Sequence, residues 1–276
     1  MNLARSVKRF LADKGVKVTR KPKVNGKTSF FNEELIIAKL LKSIPNHSRY
    51  VIDIAAADGL WLSNTYSLYN QGYAGICVEY DSERFARLAD WYQFYEEVCL
   101  LRTKATPQNI LELLHTCECP KEFGVLNLDI DSYDHHILAR MLTAYRPQVM
   151  CVEINESMPV PVKFTVDYDP EHYWKNDRFM GQSLSMLHEL CQKHDYDLVE
   201  VEYNNAFYVA REHNTFPALE PAAAFKAGFL DKTDRVGIFI NNGPYEKVYS
   251  MSPEEVVAFY TELFDQKYKG KYTLGL

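Results

Sequence analysis

Two runs constrain this chain most: Tyr50-Val51-Ile52-Asp53-Ile54-Ala55-Ala56-Ala57-Asp58-Gly59, and Gly75-Ile76-Cys77-Val78-Glu79-Tyr80-Asp81. The first is apolar and short enough for a buried parallel strand, and it ends in residues small enough for a ligand to approach the backbone. The second is another apolar run, and it closes on an acid, Glu79. Strand, small-residue turn, helix, strand and acid is the layout of a nucleotide-binding βαβ unit, with the acid about 20–26 residues on, where a ribose diol would lie. The usual turn is acid-x-Gly-x-Gly-x-Gly. Here Asp53 and Gly59 hold the ends of that pattern, and Ala55 and Ala57 stand at the two inner glycine positions. Alanine disfavours the positive φ that glycine adopts freely, so taken alone the turn also fits an ordinary strand-to-helix corner.

The alternation continues along the chain. Asn32 is placed to cap a helix running to about Lys42, with Leu35, Ile36, Lys39 and Leu40 giving its apolar stripe. Strands are expected at 50–55, 75–80, 97–102, 123–129 and 148–154. Between them come helices at 60–71, through Phe85, Leu88, Ala89, Tyr92 and Tyr95, at 107–116 behind Thr106-Pro107, and at 134–144. Residues 155–180 break the rhythm with Pro159, Pro161 and Pro170 among Phe164, Tyr168, Tyr173 and Trp174. The stretch is too long for a mere connector and reads as a lid or substrate wall. A helix at 182–194 and strands at 197–203 and 205–210 then close the sheet with an antiparallel hairpin. The expected fold is α/β and Rossmann-like: a seven-stranded, mostly parallel sheet with helices on both faces, spanning 46–211. A basic arm and helix precede it at 1–45, and an α+β extension follows at 212–276. In that extension Ser252-Pro253-Glu254-Glu255 has capping-box spacing before a helix whose apolar face holds Val256, Val257, Phe259, Tyr260, Leu263 and Phe264. Intrachain packing is the default cover for that face, and a homodimer contact is the alternative.

With 276 residues and 47% hydrophobic composition, the chain can bury a substantial core and is not a disordered protein. No apolar run approaches the ~20 residues of a membrane span, and the start lacks a signal-peptide pattern, so a cytoplasmic address without membrane partners is expected. The net charge of −6 argues against a general nucleic-acid binder. The local exception is a basic arm of Arg5, Lys8, Arg9, Lys14, Lys17, Arg20, Lys21, Lys23 and Lys27, which reads as solvated or partner-docked before it reads as RNA-binding. Cys117-Glu118-Cys119 is the one close cysteine pair and has no second pair to complete a zinc set.

Several segments occur in a fixed order: Asp58-Gly59-Leu60-Trp61-Leu62-Ser63-Asn64-Thr65; 123–131, ending Asp129-Ile130-Asp131; 145–155, ending Glu153-Ile154-Asn155; Gly181-Gln182-Ser183-Leu184; and Asn205-Ala206-Phe207-Tyr208-Val209. Together with the βαβ unit they resemble, over residues 50–211, a bacterial family of S-adenosylmethionine (SAM)-dependent methyltransferase-like proteins related to the FkbM-type O-methyltransferases. The resemblance implies the class I methyltransferase fold and SAM as cofactor, and says less about the small-molecule acceptor.

Ligands of open α/β sheets bind at the carboxyl ends of the strands. On that reading Glu79 would accept the ribose hydroxyls. Asp53, Ala55, Ala57, Gly59, Ser63, Tyr80 and Asp129 complete the expected cofactor set. Asp129-Ile130-Asp131 and Glu153-Ile154-Asn155 end neighbouring strands, and alternation points the outer members of each pair the same way. Such an oxygen set suits magnesium or manganese. Metal-dependent sugar O-methyltransferases hold their ion similarly, although with a pair of Asp where this chain has Glu153 and Asn155. An acid cluster that only orients cofactor and substrate is the other reading. Asp129 and Asp131, through an ion, or His135 and His136 as bases, are the catalytic candidates for activating a hydroxyl. Tyr168, Gln182 and Ser183 are the substrate candidates. The resulting expectation is O-methylation of a small polar metabolite, such as a sugar or natural-product intermediate. The alternatives are another SAM-using transferase or cyclase, and a non-catalytic SAM- or partner-binding domain suggested by Ala55 and Ala57.

Overall fold

A computed structural model describes residues 14, 24 and 26–276. Of the basic arm, Lys14 and Lys27 fall among these residues, and the other seven cations lie outside them. The elements are α1 Glu33–Ser43, β1 Tyr50–Ile54, α2 Tyr66–Asn70, β2 Ala74–Glu79, α3 Ser82–Tyr92, β3 Val98–Arg102, α4 Ile110–Thr116, β4 Glu122–Leu128, α5 Asp134–Met141 and β5 Arg146–Glu153. Then come β6 Lys163–Val166, α6 Leu184–Lys193, β7 Tyr196–Glu202, β8 Asn205–Ala210, α7 Pro221–Phe225, α8 Arg235–Ile238, α9 Pro253–Asp265 and β9 Tyr272–Gly275.

Seven strands form one Rossmann-like sheet in the order β3-β2-β1-β4-β5-β8-β7. The β2–β3, β1–β2, β1–β4 and β4–β5 pairs are parallel, and β8 is antiparallel to both β5 and β7. Strand alternation sends side chains into two cores. Ile52, Ile54, Ile76, Val78, Leu126 and Met150 pack against α4, α5 and α6, while Val51, Cys77, Val125 and Val149 pack against α1, α2 and α3. Both faces of the central strands are therefore covered, which explains why they read as unbroken apolar runs. The strand order reverses between β1 and β4, and ligands of such sheets bind at that switch point.

Three local details differ from the expectations. Asn32 stands at the head of α1, but its side chain donates to Glu202 (2.7 Å) and does not cap the helix. The helix after β1 begins at Tyr66 and not near residue 60, because 58–65 is a series of turns: Asp58 Oδ1 accepts from the amides of Leu60 and Trp61, and Leu62 has φ +61°. The helix after β3 begins at Ile110, behind a turn in which Thr106 and Asn109 bond each other's amides.

The segment 155–180 is tied to the C-terminal extension. β6 pairs antiparallel with β9, bringing Phe164 opposite Leu274. Met158, Val162, Phe164 and Phe179 share a third apolar cluster with Val256, Tyr260 and Phe264 of α9. The capping box at Ser252 and Glu255 forms with both of its bonds, and the buried face of α9 is covered within the chain. Buried Arg178 pairs with Glu156 (3.0 Å), and Asn242 donates to the same Glu156 oxygen (2.7 Å). Among the described residues no helix is long and apolar enough to cross a membrane.

Candidate active site

A cleft of about 750 Å³ opens over the carboxyl ends of β1, β2, β3 and β4. Its floor is the turn after β1. Ala55 and Ala57 both take the left-handed conformation, φ +66° and +50°, in place of the glycines usual there. Such a conformation costs a non-glycine residue about 1 kcal/mol or more and persists where surrounding contacts impose it. Here the amides of Ala55 and Ala56 donate to Val78 O (2.9 and 3.0 Å), and the amide of Ala57 donates to Glu79 Oε2 (2.9 Å). Gly59, φ +75°, cannot be exchanged in the same way, since a Cβ would come within 2.4 Å of Leu88 and 2.5 Å of Tyr92.

Glu79 is buried and accepts one bond on each oxygen, from Ala57 and, at 2.6 Å, from the amide of Asp81. Each oxygen keeps a lone pair for a further donor. Asp53 is also buried. It accepts from Thr65 Oγ1 (2.5 Å) and Asn127 Nδ2 (2.8 Å), yet burial still pushes its carboxyl up to about 6. Ser63 lies in the cleft wall, where its hydroxyl accepts the amide of Tyr66 (3.0 Å). Tyr80 stands exposed at the rim.

Asp129 and Asp131 line the cleft, and buried Glu153 joins them, each of the three with a carboxylate oxygen within 4.8 Å of the others. The loop 129–134 is shaped by Asp134, which accepts the amides of Ile130 (2.8 Å) and Ser132 (3.0 Å), and Asp131 sits at φ +54°. Burial, then the Asp129 charge, pushes Asp131 up to about 8. Burial likewise raises Asp129, and burial followed by the two neighbouring acids raises Glu153. Glu153 Oε1 accepts from Asn204 (2.9 Å), whereas its buried Oε2 has no donor among the described residues. Three crowded carboxylates, one with a buried and unpartnered oxygen, suit a hard divalent cation.

Other candidates fall elsewhere. Asn155 does not reach the acids: its Nδ2 donates to the carbonyls of Arg178 and Met180, and its Oδ1 accepts from Ser157, so it anchors the excursion. His135 and His136 lie one turn beyond the cleft loop, on α5. His135 bonds Gln182 (3.0 Å), His136 lies near Asp167, and neither lines the cleft. Ser183 is fully buried, capping α6 and accepting the amide of Phe164 (3.0 Å). Gln182 is buried beside Thr165. Tyr168 packs edge-on against Tyr133 and lies outside the cleft wall.

The fold also brings several further residues to the cleft. Asn64 Nδ2 donates to Asn127 Oδ1 (3.0 Å), extending the chain Asp53–Asn127–Asn64 along the cleft floor. Asn127 sits one alternation before Asp129, a spacing that could have marked it. His172, Tyr173 and Trp174 wall the cleft from the excursion, and Ser132 Oγ lies 2.5 Å from His172 Nδ1. Nothing local in the sequence marks that pair, whose members are 40 residues apart.

No protein-family model matches the chain, and no curated protein matches it in sequence. Among solved structures it is similar to the N-terminal domain of EvdMO1, determined in the presence of SAH and D-fucose, with TM-score 0.45 and 11% identity over 76% of this chain and 97% of that one. It is also similar to the magnesium protoporphyrin IX methyltransferase ChlM from Synechocystis PCC 6803 with bound SAH, with TM-score 0.42 and 6% identity over 76% and 88% of the two chains. A third is the N-methyltransferase NodS from Bradyrhizobium japonicum WM9, with TM-score 0.42 and 11% identity over 65% and 94%. Likenesses this remote carry no information on chemistry, and the functional reading stands on the cleft.

Proposed function

We propose that this chain is a SAM-dependent methyltransferase acting on oxygen of a small polar acceptor, a sugar or natural-product intermediate, in keeping with its FkbM-like sequence pattern. The observation that carries the reading is the cleft's division of labour. A turn bonded to the Glu79 carboxylate lies on one side, and an acid cluster short of donors lies on the other.

SAM supplies a methyl group on a positively charged sulfur, open to in-line attack by a nucleophilic oxygen. Glu79 would hold its ribose hydroxyls with the lone pairs left free by Ala57 and Asp81. The amides of Asn64 and Asn127, ordered by Asp53, would orient its polar amino-acid end. Asp129, Asp131 and Glu153 fit a magnesium or manganese ion, whose chemistry is to lower the pKa of a bound hydroxyl. The ring wall of Tyr173 and Trp174 would exclude water from the reacting atoms. Ala55 and Ala57, the grounds for a non-catalytic domain, adopt the glycine-type turn despite their methyl groups.

The test is transfer of label from methyl-tritiated SAM into a deproteinised small-molecule extract. Label should appear in polar products, fall with EDTA and return with magnesium or manganese. Transfer from carboxyl-labelled SAM instead would indicate movement of the aminocarboxypropyl chain. Full transfer in excess EDTA would remove the ion, and no transfer of either label would remove the enzyme.

A further inference from the structure

Residues 167–177 form the tip of the excursion, and the two ends of this tip are held differently from its middle. At one end β6 is paired with β9, and Asp169 bonds Lys271 (3.0 Å). At the other, Asp177 accepts from Tyr268 (2.6 Å), and Phe179 stacks on the same ring with centroids 3.8 Å apart. The middle, which carries the cleft wall, meets the apolar clusters through one ring contact, His172 edge-on to Phe179 with centroids 5.5 Å apart, and Tyr173 is 63% exposed. Its ties to the sheet side are polar. Ser132 Oγ meets His172 Nδ1, and Lys104 Nζ bonds the carbonyls of Pro170 and His172. Ser132 follows the acids of β4 and Lys104 follows β3, so both ties cross the mouth of the cleft. A segment held by a few polar bonds between well-packed ends is the part of a fold that opens at least cost.

We infer that Ser132 and His172 form a latch that closes the tip over the nucleoside ligand and sets how fast that ligand leaves. The inference rests on the proposed SAM site and deepens it. Both are positioning residues: the bond between them uses His172 Nδ1, and the effect on the ligand passes through the wall they hold. Ser132 is itself fixed, since it is buried and its amide is bonded to Asp134, so the latch has one rigid half on the sheet and one on the tip.

The experiment uses the full chain and SAH as the probe, with dissociation followed by stopped-flow tryptophan fluorescence after mixing with excess competitor. Ser132→Ala and His172→Ala should each speed SAH release about fivefold, the loss expected for one hydrogen bond, while association changes less. His172→Asn, whose amide reaches the Nδ1 position, should restore release to within about twofold of wild type. His172 is partly buried with its ring edge-on to Phe179, so His172→Asn, which restores the polar atom without the ring, keeps the test decisive even if both alanine variants lower the melting temperature. Unchanged release in His172→Ala overturns the latch, as does release from His172→Asn as fast as from His172→Ala. A wild-type protein that binds no SAH overturns the nucleoside reading itself, and the latch falls with it.

Discussion

On the β1–β2 side of the cleft the carboxylates are provided for: Asp53 accepts from Thr65 and Asn127, and Glu79 from the amides of Ala57 and Asp81. On the β4–β5 side Asp129, Asp131 and Glu153 crowd together, and Glu153 Oε2 has no donor among the described residues. The two regions are built from the same residue types at the ends of adjacent strands, and what separates them is the supply of donors. The first holds its shape by itself and offers leftover lone pairs to neutral hydroxyls. The second is unfinished, and it needs a proton or a cation before its charges can sit together. Asp53 marks the limit of the first strategy, because two donors do not offset full burial and its carboxyl still stands at about 6.

Removing Glu79 and removing Glu153 should therefore have opposite effects on stability. The largest change is expected for Glu79→Ala. It strips the support from the strained amide of Ala57 and should cost about 3 kcal/mol of stability by denaturant titration. It should also weaken SAH binding roughly tenfold to hundredfold, the worth of one or two charge-assisted bonds.

Asp53 gives the next effect, in its pH dependence. Its folded pKa is raised, so the stability it contributes is fully present below its unfolded value near 4 and is lost as pH rises through about 6. A shift of this size corresponds to about 2–3 kcal/mol. Melting curves of Asp53→Asn should accordingly fall less steeply between pH 4 and 6 than those of wild type.

Glu153→Gln should move stability in the other direction. Burial and the neighbouring acids already favour the neutral Glu153 carboxyl, so the neutral amide should raise the ion-free protein's stability near neutral pH by no more than about 1 kcal/mol, while abolishing the stabilisation that manganese gives wild type. A destabilised Glu153→Gln protein would erase the contrast between the two sides.

The smallest effect belongs to the turn. Ala57→Gly relieves a positive φ and should leave stability unchanged or raise it by up to about 1 kcal/mol, the strain released being partly offset by unfolded-chain entropy.

The parallel half of the fold was legible because strands buried on both faces write themselves as apolar runs, and because Glu79 and Asp129 close or follow those runs. The turn was harder to read: Ala55 and Ala57 argue locally against a conformation that Val78 and Glu79 impose from the next strand. His135 and His136 looked close to the acids in sequence, but the start of α5 turns them toward Gln182 and Asp167. The partnership of β6 with β9, and of Ser132 with His172, could not be read, since each joins segments of ordinary composition far apart in the chain. Asn155 pairs with Glu153 by alternation, yet the chain leaves the strand at Glu153 and Asn155 turns inward to hold the excursion.

The central claim is that the donor-rich side of this cleft is a SAM site, and calorimetric titration of SAH into the wild-type chain tests it most directly. One site per chain is expected, with low-micromolar or tighter affinity, weakened at least tenfold in Glu79→Ala. No heat of binding, or an affinity that Glu79→Ala leaves unchanged, would contradict it.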